Sequence, residues 1–210
     1  DGSTGGAGGH REHDGAPGVG PDDGAGPSVD AWAEDAMAVH SSLGTVPRRS
    51  DGKVAVCFVC LGNICRSPQA EGLFARHVER AGLAHRFEID SAGTSGWHVG
   101  ELPDPRTRAT SARLGVVLDS RSRPVVRQDF ARFDFIVAMD LSNIEALMAM
   151  ADSEDARGRI SLLRNWDADA DGAEVPDPYY GEGDGFAKVF AMCDTACAGL
   201  LAAIITKAQL

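Results

Sequence analysis

Cys60 and Arg66 stand six positions apart in the run Cys60-Leu61-Gly62-Asn63-Ile64-Cys65-Arg66-Ser67. A thiol, five intervening residues, an arginine and a serine can hold a tetrahedral oxyanion and attack it. Successive loop N–H groups, continued into a helix N-terminus, make a cradle for such an anion. Gly62 permits a tight turn, and Asn63 tolerates the left-handed backbone that helps aim those N–H groups inward. Arg66 can grip two oxygens with its planar fork, which a lysine cannot do. The same positive field favours the thiolate of Cys60, the competent nucleophile, and Ser67 can donate a hydrogen bond to it. If the anion is a phosphate ester, its leaving oxygen needs a proton donor. Asp177 is the best candidate, in Val175-Pro176-Asp177-Pro178-Tyr179-Tyr180-Gly181. Two prolines stiffen the backbone around one carboxylate, and partial burial by the tyrosines, beside an anionic substrate, helps it keep a proton near neutral pH.

The elements that would position these groups can be read from apolar patterning. Val54 to Val59 is a continuous apolar run, the pattern of a strand buried on both faces. The cysteine loop follows, then a helix with Pro68 in its first turn. Ala70, Leu73, Phe74, Val78 and Ala81 share one face of that helix, and Gly82 ends it. Phe87 to Ile89 alternates as a second strand. A helix capped by Asp104 stops at Gly115. Phe133 to Met139 is a third strand, Asp140 or Ser142 opens the next helix, and Ile160 to Leu163 is a short last strand. Phe186, Val189, Phe190, Cys193, Cys197, Leu200, Leu201 and Ile204 draw an apolar stripe on a long final helix. Strand alternating with helix predicts an open α/β sheet, mostly parallel, with helices on both faces. In such folds ligands bind beyond the carboxyl ends of the strands, where the cysteine loop falls.

Together, Cys60-Leu61-Gly62-Asn63-Ile64-Cys65-Arg66-Ser67-Pro68, Asp90-Ser91-Ala92-Gly93-Thr94, Ala138-Met139-Asp140 and Asp177-Pro178-Tyr179-Tyr180-Gly181 resemble the low-molecular-weight protein tyrosine phosphatase family. The resemblance runs from about Lys53 to the C-terminus. It implies a four-stranded parallel sheet flanked by helices and a reaction through a phosphocysteine on Cys60. Arg66 would clamp the phosphate, Ser67 would partner the thiolate, and Asp177 would act as general acid and then base. Leu61, Gly62, Asn63, Ile64 and Cys65 would complete the cradle, which would also take free phosphate, and Asn63 and Ser91 would hold its shape. Trp97, Tyr179 and Tyr180 would line the cleft for a phosphotyrosine ring. The implied substrates are phosphotyrosine proteins and small aryl phosphates, with neither metal nor cofactor required. One departure is visible. Many members place a histidine where this chain has Ser120 or Arg121, which leaves the rigidity of the loop open.

Rival readings of the same residues are weaker. Cys57-x-x-Cys60 has zinc or redox spacing, but Cys57 falls inside the first strand and no second pair completes a site. Cys193 and Cys197 read as core. Asp167 to Gly172 starts like a calcium loop, but its twelfth position is Pro178 rather than glutamate. His77, His85 and His98 read as surface residues. A thioredoxin-coupled arsenate reductase needs further cysteines in mid-chain, and none occurs between Cys65 and Cys193. Phosphoarginine phosphatases tend to carry threonine where Ile64 stands. Cys65 lies close enough in sequence to Cys60 to form a reversible disulfide that shields the nucleophile.

Composition sets the frame. The 210 residues carry 20 Lys+Arg against 31 Asp+Glu, a net charge of -11. That balance argues against nucleic-acid or anionic-membrane binding, both of which need surplus basic charge. No apolar run approaches the 18 residues a membrane span needs, which predicts a soluble protein. Residues 1–50 hold 11 of the 25 glycines, no cysteine, and three arginines against eight acidic residues. We read them as a disordered acidic tail, with residues 51–210 as the working domain. The stretch is too acidic for a transit peptide and lacks the apolar core of a secretory signal. Reliance on a reduced thiol predicts a cytoplasmic location.

Overall fold

A computed structural model describes residue 49 and residues 51–170, 174–181 and 184–210; the disorder expected of the acidic tail, and part of the discounted calcium-like run, lie outside the described residues. Four strands form one sheet in the order β2-β1-β3-β4, and every pairing is parallel. They are β1 (Val54–Cys60), β2 (Phe87–Gly93), β3 (Phe135–Ala138) and β4 (Ile160–Leu162). All seven residues of β1 are buried, because helices cover both faces of the sheet.

Alternate residues of β1 divide the core in two. Val54, Val56, Phe58 and Cys60 pack toward α1 (Arg66–Arg80) and the last helix, α6 (Gly185–Ala208). Ala55, Cys57 and Val59 face the opposite layer, with α3 (Asp129–Arg132), α4 (Leu141–Met150) and α5 (Glu154–Arg157). The remaining helix, α2 (Pro105–Arg113), contacts α6 near the loop end of the sheet. Capping places the helix starts. Asp104 accepts a hydrogen bond from the Arg106 N–H at 2.8 Å, and Asp140, rather than Ser142, caps α4 through the Asn143 N–H.

Two features differ from the sequence reading. The second strand runs on from Ile89 through Asp90 and Ser91 to Gly93. Its polar half pairs in register with the end of β1, Ser91 opposite Phe58 and Gly93 opposite Cys60. Further, α6 is long and apolar enough to cross a membrane, with a mean hydropathy of 1.9 over its most apolar window. This corrects the expectation that no such run exists. Its apolar stripe, including Val189, Cys193, Leu200 and Ile204, is consumed by the core against α1.

The chain steps from β1 out to β2, then crosses to β3 and β4 on the other side. The carboxyl end of β1 is therefore the topological switch point, where a crevice opens between diverging connections. Cys60 is the last residue of that strand.

Candidate active site

The loop between Cys60 and Arg66 is held from outside by its carbonyls. Those of Cys60, Leu61 and Ile64 accept from the N–H groups of Thr94, Ser95 and Asp104 at 2.8–2.9 Å, and that of Gly62 accepts from the Ser122 hydroxyl. In a trans peptide the N–H points opposite to the C=O. Outward carbonyls therefore turn the N–H groups of the following residues toward the loop's interior. Gly93 makes this approach possible: a Cβ there would stand 2.8 Å from the Leu61 oxygen and 3.2 Å from the Asn63 nitrogen.

Asn63 is the internal strut. Its φ of 53° is left-handed, and its amide donates to Ser67 Oγ at 2.9 Å and to Ser91 Oγ at 2.8 Å. Its carbonyl oxygen accepts from the Arg123 N–H at 2.9 Å. Ser91 in turn donates to Glu71 at 2.6 Å, and Ser120 bonds the same carboxylate. Burial raises the Glu71 pKa, against the lowering effect of these two hydroxyls. Of Ser120 and Arg121, Ser120 is the one that bonds Glu71, while Arg121 donates to the Gly100 carbonyl at 3.0 Å. The Arg123 side chain pins its own segment to Asp90 and Asp129 at 3.0 and 2.9 Å.

At the mouth of this frame Cys60 Sγ lies 3.1 Å from Ser67 Oγ. Arg66 is 2% exposed. It donates to Asp140 at 2.5 Å, to the Val175 carbonyl at 3.0 Å and to Asp177 at 3.0 Å. Burial opposes its charge, but Cys60, Asp140 and Asp177 outweigh that cost and leave its pKa raised. The other Asp177 oxygen accepts from the Tyr179 N–H at 3.1 Å, which fixes the carboxylate's orientation. Asp177 thus stands at the cleft, more than a hundred residues from Cys60 in sequence.

Cys60, Leu61, Gly62, Ile64, Cys65, Arg66, Trp97, His98, Asp177, Tyr179 and Tyr180 line one cavity of about 110 Å³. Trp97 and Tyr180 are 75% and 91% exposed, so neither ring is committed to the core. The two tyrosine rings meet edge to face, 4.9 Å between centroids. Of the candidates, Ser67, Asn63 and Ser91 lie behind this cavity rather than on its wall. Cys65 is buried, and that burial pushes its thiol up to about 12. Cys57, Cys193 and Cys197 are fully buried and free.

Sequence reasoning missed several supports. Asp140 was visible as a candidate helix cap and as part of a motif, but not as the direct partner of Arg66 that it is. Glu71 and Arg123 carried no signal beyond being charged. Two histidines read as surface residues are partnered: His98 lines the cleft and meets Glu101 at 2.8 Å, and His77 meets Asp194 at 2.6 Å.

Residues 55–210 match the family model described as low molecular weight phosphotyrosine protein phosphatase. A low molecular weight protein-tyrosine-phosphatase from Streptomyces coelicolor is 49% identical over 151 residues, 71% of this chain and 92% of the relative. A crystal structure of a protein tyrosine phosphatase from Entamoeba histolytica, with Hepes in its active site, superposes with a TM-score of 0.71 at 37% identity. It covers 75% of this chain and 100% of the other. A Drosophila arginine phosphatase superposes with a TM-score of 0.66 at 33% identity, covering 70% of this chain and 95% of the other.

Proposed function

The chain belongs to the low molecular weight phosphotyrosine protein phosphatase family, and from that premise we propose that it hydrolyses phosphotyrosine in proteins, and small aryl phosphates, through a phosphocysteine on Cys60. The observation that carries this reading is the convergence on one cavity of the Cys60 thiol, the buried Arg66 fork and the Asp177 carboxylate.

The Cys60 thiolate attacks phosphorus in line. The S–P bond forms as the P–O bond to the phenol breaks, and Asp177 delivers its proton to the departing oxygen. Water then attacks phosphorus, Asp177 takes a proton from it, and the S–P bond breaks to return thiolate and inorganic phosphate. Loop N–H groups and Arg66 face the charge on the transferring group, so stabilisation comes from fixed dipoles. Ser67, 3.1 Å from Cys60, donates to the thiolate as nucleophile and again as leaving group. Trp97, Tyr179 and Tyr180 offer flat apolar walls to an aromatic leaving group.

Ile64 in the loop supports phosphotyrosine over phosphoarginine, because relatives acting on the latter tend to place threonine there. Cys65 is proposed as the resolving thiol for an oxidised Cys60. A reducing compartment such as the cytoplasm suits five free cysteines.

Assays of 4-nitrophenyl phosphate with the wild type, Cys60→Ser and Asp177→Ala test the reading. Cys60→Ser should abolish turnover and Asp177→Ala should lower kcat/KM about 100-fold or more. Equal rates in all three would overturn it. Higher kcat/KM on a phosphoarginine peptide than on the matching phosphotyrosine peptide would move the chain to the other substrate class.

A further inference from the structure

Resting on that reading of Asp177, we infer that Arg106 is a positioning residue for the general acid, tying the segment that carries Asp177 to the loop that carries Cys60. Three connections make the tie. First, the Asp104 N–H donates to the Ile64 carbonyl at 2.8 Å, so the start of α2 is fixed to the cysteine loop. Second, the Asp104 carboxylate takes a two-point fork from Arg106, Nε at 3.0 Å on one oxygen and Nη2 at 2.9 Å on the other. Both oxygens are engaged, which fixes the guanidinium plane as well as its position. Third, the remaining Nη1 donates to the Tyr179 carbonyl at 3.2 Å, while the same guanidinium packs 5.2 Å from the Tyr179 ring and 4.7 Å from the Phe186 ring.

Tyr179 is the residue whose own N–H holds Asp177 Oδ1 at 3.1 Å. Arg106 therefore holds Tyr179 by its carbonyl and its ring, two residues from the acid, without lining the cavity itself. Apart from Arg66 on the Asp177 carboxylate, the backbone of this segment has few described anchors. The Asp177 side chain is 37% exposed, and the segment follows Val175, whose N–H is bonded to Met139 and whose carbonyl accepts from Arg66. Between Val175 and α6 two described contacts reach it from the loop side: Arg66 on the Asp177 carboxylate itself, and Arg106 on the Tyr179 backbone, with its stack on Phe186 at the start of that helix. A guanidinium is needed: lysine can neither fork both Asp104 oxygens nor stack flat on two rings.

A residue that aims a general acid has a signature that a merely structural residue lacks. Its loss costs more when the leaving phenol is a poor one, because only that departure needs the proton. The value of kcat/KM covers the steps through departure of the phenol, so the comparison is made there. Arg106→Ala and Arg106→Lys should lower kcat/KM for phenyl phosphate by about tenfold, and for 4-nitrophenyl phosphate by less than about threefold. Asp177→Ala should show the same selectivity more strongly. The double variant Arg106→Ala/Asp177→Ala should be no slower than Asp177→Ala alone, since Arg106 would act only through that carboxylate.

Thermal unfolding measured alongside separates folding from positioning, and the half-exposed Arg106 side chain should be removable with the fold intact. If Asp177→Ala shows no leaving-group selectivity, the general-acid reading fails. If Asp177→Ala is selective but Arg106→Ala and Arg106→Lys slow both substrates equally, or the losses add in the double variant, the positioning role is overturned.

Discussion

Burial pushes the Cys65 thiol up to about 12, so at neutral pH roughly one molecule in 100,000 carries it as thiolate. Asp104, Cys60 and Asp177 push in the same direction, and only a hydrogen bond with Thr107 opposes them. This sets how well Cys65 can resolve an oxidised neighbour. In the proposed protection, peroxide would convert the Cys60 thiolate to sulfenic acid, and the Cys65 sulfur would displace water to form the disulfide, which a small thiol would reduce again. Because the attacking species is the thiolate, this step should accelerate about tenfold per pH unit below about 12. The expected outcome is that the share of activity recovered by dithiothreitol after peroxide rises with pH in the wild type, and is low and flat in Cys65→Ser. Equal recovery in both proteins would remove Cys65 from the chemistry. The same residue shows why the site was only partly legible. Cys60, Asn63, Arg66 and Ser67 are local to one loop, and local spacing reveals them. Asp140 and Arg106 matter through partners 74 and 73 positions away, and no periodicity encodes such a pairing.

Among the elements, α6 carries a constraint that composition hides. Gly199 lies in the middle of this helix, where glycine ordinarily costs about 1 kcal/mol relative to alanine. Replacing it should therefore stabilise the helix, yet a Cβ at Gly199 would stand only 1.8 Å from the Trp166 carbonyl oxygen. The short 3₁₀ turn Leu163–Trp166 crosses the helix at that point, with Trp166 packed edge-on against Phe135. Gly199→Ala should thus destabilise, by about 1–3 kcal/mol or more from forced backbone shifts, lowering Tm by at least about 3 °C. A Tm at or above wild type would show that the turn yields freely. Elements with long apolar periodicity, β1, α1 and α6, were readable for the reason they are stable: each buries a continuous face. The short α3 and α5 and the 3₁₀ turns Ala84–Arg86 and Leu163–Trp166 were not, since three or four residues hold too little pattern. The polar half of β2 was missed because Asp90 and Ser91 are there to hold Arg123 and Asn63, not to fill the core. Polar contacts rather than apolar burial hold that half of the strand.

For the whole molecule the question is how an acidic chain handles an anionic substrate. Of the net charge of -11, residues 1–50 carry -5, and the remainder carries -6. Inside the cleft, oriented N–H groups and Arg66 set the field over a few ångströms, well within a Debye length of about 8 Å at physiological salt. Charge elsewhere can act only on approach. Arg49, just before the boundary read at residue 51, donates to Glu88 at 2.8 Å and to the Arg132 carbonyl at 2.9 Å, tying β2 to the end of α3. A chain starting at Arg48 should therefore keep the stability and the kcat of the full chain. One starting at Asp51 should lose about 1 kcal/mol or less, the worth of a part-exposed ion pair. Removing the acidic segment should lower KM for a phosphotyrosine peptide at about 0.01 M ionic strength, where the Debye length is about 30 Å. The two chains should converge near 0.15 M, because repulsion acting from outside the cleft is screened there. A difference in KM that persists at 0.15 M would mean that the segment touches the cleft or its rim, and acts by contact rather than by field.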